Sequence, residues 1–98
     1  MARLISKKEE LYIDDGYGRH HKVLRGWESL SGWYWFAIEK VRNQLSFIDG
    51  KKVPDVIWYG FIQGFKDGWD TFSQAKIESL SPRTWEIPEG NLYYSGRR

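Results

Sequence analysis

Residues 57–73 read IWYGFIQGFKDGWDTFS, and the fold turns on how this stretch is parsed. Taken with Val56, its first part alternates like a pleated strand over residues 56–65. Val56, Trp58, Gly60, Ile62 and Gly64 fall on one face, and Ile57, Tyr59, Phe61, Gln63 and Phe65 on the other. Both faces are largely apolar, so this is a central strand that other parts of the molecule must cover. Gly60 and Gly64 lack Cβ atoms and allow a backbone or an aromatic ring to approach closely. Asp67-Gly68 then marks a turn over 66–69. Beyond it, Thr71 or Ser73 supplies the oxygen that caps a short helix near 74–80, with Ala75, Ile77 and Leu80 as its apolar stripe.

Working outward, residues 31–41 (SGWYWFAIEKV) open at a Ser-Gly turn and make a second strand over 31–38. Period two places Trp33, Trp35 and Ala37 on one face and Tyr34, Phe36 and Ile38 on the other. A turn follows, and Leu45, Phe47 and Ile48 form a short edge strand or an apolar loop. The Asp49-Gly50 turn then makes the two aromatic strands neighbours in a sheet. Residues 11–18 give a short strand and an Asp-Gly turn, and 20–30 a strand with one wet face. Residues 1–10 read as a frayed helical turn or flexible lead-in, 81–90 as a loop or broken extended segment, and 91–95 as a terminal edge strand. The expected architecture is one compact α+β domain over residues 1–98. It has a small, mostly antiparallel sheet of three to five strands and one short helix, a small curled β-barrel being the alternative.

The composition supports a core despite the chain's 98 residues. Six Trp, six Tyr and five Phe can each bury roughly 150–250 Å². The formal net charge is only +2 with a pI near 8.9, a small excess among many charges and a weak pointer to nucleic acid. The basic pairs Lys7-Lys8, Lys51-Lys52 and Arg97-Arg98 read first as solvated ends and loops. With no cysteine there is no disulfide framework, thiol nucleophile or cysteine-based metal site. No apolar run approaches the roughly 20 residues of a membrane span, and the start lacks the apolar centre of a secretory signal. A cytoplasmic protein without membrane contact is therefore expected.

Little in the chain points to catalysis. His20-His21 could move protons or bind a metal, but adjacent residues on a strand point to opposite faces and a third ligand is missing. Asp14-Asp15, Asp67 and Asp70 accompany turn glycines or a helix start, where their carboxylates accept backbone hydrogen bonds. Ser31, Ser73 and Ser81 lie in no nucleophile elbow, and Gly60, Gly64 and Gly68 precede no phosphate-loop Lys-Ser/Thr. A noncatalytic protein without metal or other cofactor is expected.

Residues 57–80 resemble a segment of small, functionally uncharacterised proteins of mobile elements and microbial genomes. These share an aromatic-Gly strand, a charged turn, Trp, Phe-Ser and a short helix. The matching positions are Trp58, Gly60, Gly64, Trp69, Phe72, Ser73, Glu78 and Leu80. The chain departs from the pattern at Phe65-Lys66-Asp67-Gly68, where acidic residues are usual, and at Asp70-Thr71, where Gly-Tyr precedes the Phe. The resemblance implies a viral or plasmid accessory or regulatory protein and brings no catalytic residue with it.

Binding is the expected mode of action. An aromatic patch from 33–38 and 56–65 could dock on a partner protein or a second copy of the chain, as a homodimer. The alternative is single-stranded DNA or RNA. For that, Trp33, Trp35, Trp58, Tyr59 and Trp69 would be stacking surfaces, with Lys22, Arg25, Lys51, Lys52 and Lys66 reaching phosphates. The competing structural reading is that most of these rings form the core.

Overall fold

A computed structural model describes residues 1–98. The strand read at 56–65 is part of β6, Lys51–Gln63, and its hairpin partner is β5, Tyr34–Ile48. β4, Arg25–Ser29, pairs with β5. β7, Gly68–Ser73, pairs with β6, and β8, Thr84–Glu86, lies beside β4, giving the order β7-β6-β5-β4-β8. A separate three-stranded sheet holds β1 (Arg3–Lys7), β2 (Glu10–Asp14) and β3 (His20–Lys22). Every strand pairing is antiparallel. The expected small, mostly antiparallel α+β architecture is present, but with eight strands in two sheets. The larger sheet keeps two open edges, so no barrel closes.

The register explains why the central strands are apolar on both sides. Trp35 stands opposite Trp27 and Ile62, while Phe36 stands opposite Gly26 and Phe61. On the first face Trp27, Ala37, Trp58 and Phe72 pack with Ile77 of the single helix α1, Gln74–Glu78. On the second, Phe36 and Phe61 pack with Leu4, Leu11, Ile13 and Val23 of the smaller sheet and with Ile87 and Leu92. Burying a side chain of Phe36's size contributes about 1.5–3 kcal/mol, and Phe36 and Trp27 are both fully enclosed. The chain covers both faces of its central strands itself.

Gly60 sits opposite Ala37, where the β5 backbone comes so close that a Cβ would collide with the Phe36 carbonyl. At Gly64 the ring of Trp33 takes the same space. Ser73 caps α1 as expected, its Oγ accepting from the Lys76 amide at 3.1 Å.

Several segments differ from the sequence reading. Residues 1–10 are not a lead-in: β1 and the start of β2 lie here and bury Leu4, joined by a turn in which Lys8 and Glu9 take positive φ. Residues 20–30 break into β3 and β4 at Val23-Leu24. β5 runs on to Ile48 without the expected turn, absorbing irregularities at Ile38 and Val41 as bulges. Of the two readings of 81–90, the broken extended segment is the one present, as β8. Residues expected as a terminal edge strand form a 3-10 helix, Glu89–Tyr94, since Leu92 must turn inward to fill the space over Gly26.

Candidate functional site

β5 and β6 outrun their neighbours. β4 pairs with β5 only as far as Ala37, and β7 pairs with β6 only from Ile57 onward. Residues 43–48 and 51–56 therefore pair with each other alone and project as a two-stranded ribbon. The molecule measures 42 × 25 × 25 Å. At the tip Asp49 and Gly50 have φ of 51° and 77°, the two positive values that a two-residue hairpin turn requires.

Cross-strand partners share a face. One side of the ribbon carries Leu45 with Pro54 and Phe47 with Lys52. Leu45 is 64% and Phe47 67% exposed, and Lys52 Nζ lies 5.7 Å from the Phe47 ring centroid. Lys40, Arg42, Lys51 and Lys52 form no ion pair, in contrast to the paired Lys22, Arg25 and Arg97.

The root of the ribbon is fixed by Asp55, a buried carboxylate. One oxygen, Oδ2, accepts from Ser46 Oγ at 2.7 Å and from Ser73 Oγ; the other, Oδ1, accepts from the amides of Val56 at 2.7 Å and Ala75 at 2.8 Å. Burial pushes the Asp55 carboxyl up, but the bonds from Ser73, Ala75, Ser46 and Val56 outweigh it and hold the group below the usual carboxylate range. Asp55 thereby ties β5, β6 and the start of α1 together. Asp70, expected near that helix start, instead lies in β7 and accepts from the Thr71 amide at 2.7 Å.

The candidate stacking residues are divided between the two sheet faces. Trp58 is buried against α1, its Nε1 donating to Gln74 at 2.9 Å. Trp33 and Trp35 are half-buried and stack on each other with centroids 5.9 Å apart. Tyr59 and Trp69 stack on the opposite face, where Trp69 also meets Phe61. Of the cations, Lys22 pairs with Glu10 at 2.6 Å, and Arg25 holds Glu86 through Nε at 2.7 Å and Nη2 at 2.5 Å. Lys51 and Lys52 stand at the ribbon tip, and Lys66 is exposed in the β6–β7 turn. These residues do not converge. Leu45, Pro54, Phe47 and Lys52 do share one face of the ribbon, and their signal in the sequence was an alternating run that β5 continued past Ile38.

The histidines behave as their adjacency implied. Lys7 Nζ donates to His20 Nδ1 at 2.9 Å, while His21 Nε2 lies 3.1 Å from Asp15 Oδ2. Asp14 and Asp15 accept turn amides, from Gly16 at 2.9 Å and from Tyr17 at 2.7 Å. Those amide bonds are the main cause that holds each carboxyl below its ordinary range. No three histidine or acidic side chains converge in a metal-binding group. The Asp15–His21 pair has no serine or threonine lining the hollow beside it. No helix is long and apolar enough to cross a membrane. No family model matches the chain, and no curated protein or solved structure is significantly similar to it.

Proposed function

We propose that the protein is a noncatalytic accessory or regulatory factor that acts through protein–protein contact, with the β5–β6 ribbon as its docking element and a second copy of the chain as its first partner. One observation carries this reading: a ribbon paired only with itself exposes Leu45 and Phe47 on a single face. An isolated two-stranded ribbon is marginal in water, and its outer backbone groups accept further strands. Six residues per strand span roughly 20 Å, so the buried area falls toward the small end for specific complexes, about 1,200 Å² or less. The dimer is accordingly weak, with a Kd in the micromolar range or above.

Sedimentation equilibrium across a wide concentration range tests this, comparing the wild type with Leu45→Ser/Phe47→Ser. The expected result is an average mass that rises with concentration in the wild type only. A wild type that stays monomeric at every concentration overturns the homodimer.

Charge on the same ribbon supports a second reading, single-stranded nucleic acid. Residues 40–54 hold four cations, Lys40, Arg42, Lys51 and Lys52, against Asp49 alone, a net of +3. The whole chain is +2, so everything outside residues 40–54 sums to −1, with Glu39 and Asp55 directly flanking that stretch. Phe47 is the exposed ring among these cations and could stack on a base. Salt-dependent anisotropy with a labelled oligonucleotide separates the two readings: nucleic-acid binding steepens at low salt and falls when Lys51 and Lys52 are replaced. No binding at low salt removes it.

A further inference from the structure

A second feature lies away from the ribbon tip, on the sheet face opposite α1. Tyr17 from the β2–β3 loop, Tyr59 from β6 and Trp69 from β7 line one hollow of about 260 Å³ together with Asp15, His21 and Ile38. Tyr59 and Trp69 lie nearly parallel, 12° apart with centroids separated by 5.9 Å. Trp69 is held in place by Phe61 at 5.4 Å and by the edge of His21 at 5.6 Å. Tyr17 is 92% exposed, so its ring is free to swing over whatever the hollow holds.

Asp15 is the one acidic side chain that lines this hollow. Asp15 Oδ1 is committed to the amides of Tyr17 and Arg19, whereas Oδ2 meets only His21. The amide bonds hold its carboxyl below the ordinary range and so keep it ionised. Glu39 stands opposite Tyr59 in the register, outside the lining of the hollow. Neither lysine nor arginine lines the hollow.

We infer that this hollow binds an organic cation, specifically an alkylated ammonium group, against the Tyr59–Trp69 stack and beneath the Tyr17 ring, with Asp15 as its counter-charge. Aromatic faces are electrostatically negative and attract such groups, which have few or no N–H bonds to satisfy and are weakly hydrated. An anion is disfavoured by the Asp15 carboxylate. A neutral apolar group would desolvate Asp15 with no compensating charge. A divalent metal needs several oxygen ligands, and the hollow offers one carboxylate that already has partners. The chemistry is shared by two sources, a small free quaternary ammonium compound and a methylated lysine side chain of a protein.

The test is an NMR titration of the intact chain that follows the indole N–H resonances, using tetramethylammonium, choline and a short trimethyl-lysine peptide. 3,3-Dimethylbutan-1-ol, the neutral isostere of choline, is the control. The expected result is a saturable shift of the Trp69 indole with both simple ammonium ions, and binding of the alcohol weaker by about tenfold or more. Tyr17→Ala, a change at a solvent-exposed ring that leaves the core intact, weakens choline binding by about fivefold. Asp15→Asn, checked for folding by its amide spectrum, weakens choline but not the alcohol. Equal affinities for choline and the peptide assign the hollow to a small molecule, and a much tighter peptide assigns it to a methylated protein. No saturable shift with any cation, or an alcohol that binds as well as choline, overturns the inference.

Discussion

Replacing Asp55 by alanine removes the group that joins the ribbon root to α1, and the size of its effect follows from the hydrogen bonds around it. Two serine hydroxyls and two backbone amides converge on one buried carboxylate. Hydrogen bonds to a charged group contribute about 1.5–3 kcal/mol each, but four sharing one acceptor are not additive, so the expected loss is about 3 kcal/mol. For a domain of this length that lowers Tm by roughly 12–24 °C. Asp55→Asn keeps an oxygen for the Val56 and Ala75 amides and gives the rotatable serine hydroxyls a donor; it should lose only about 1 kcal/mol. The same group sets an acid dependence. Its native carboxyl lies below the usual value of 3.8, so its stabilisation is complete above about pH 4 and disappears as the pH falls through the depressed native value. Asp14 and Asp15 are shifted in the same direction, so Asp55→Asn should flatten the stability curve below pH 4 without abolishing its slope. Urea denaturation followed by tryptophan fluorescence at pH 7 and between pH 2 and 4 measures all three proteins. An alanine variant within 0.5 kcal/mol of the wild type, or an asparagine variant as damaged as the alanine one, would refute the reasoning.

Gly60→Ala should prevent folding or cost more than about 3 kcal/mol, because its methyl meets the β5 main chain at Phe36, whereas Gly68→Ala, with open space around it, should stay within about 0.5 kcal/mol of the wild type. Thermal melts by circular dichroism compare the two. Arg25→Ala should cost about 1–2 kcal/mol, combining a half-exposed pair with Glu86 and the loss of the guanidinium packed 5.1 Å from the Trp27 ring centre. A Glu86→Ala/Arg25→Ala double-mutant cycle isolates the ionic part, which should not exceed about 1 kcal/mol.

What could be read from the chain was what neighbouring residues decide among themselves. The two-faced alternation read over 56–65, which holds through Gln63, the Asp49-Gly50 turn and the Ser73 cap each depend on local chemistry. The β1–β2 hairpin escaped because its turn is built from Lys8 and Glu9 at positive φ, residues that give no turn signal. The length of β5 was hidden by the bulges at Ile38 and Val41, which shift the alternation twice. Without that length the exposure of Leu45 and Phe47 could not be foreseen. Asp55 draws its partners from residues 9, 18 and 20 positions away, and Tyr17 meets Tyr59 and Trp69 only once the smaller sheet has folded onto the larger. Such convergences are tertiary and leave no periodic trace.

Amide hydrogen exchange along the ribbon, measured in dilute and in concentrated protein, tests the docking role most directly. If the ribbon docks, the amides of residues 43–48 and 51–53 exchange quickly in dilute solution and gain protection with concentration, while those of the β6–β7 pairing stay unchanged. Exchange in the ribbon that is independent of concentration, accompanied by a protected surface elsewhere on the molecule, would contradict it.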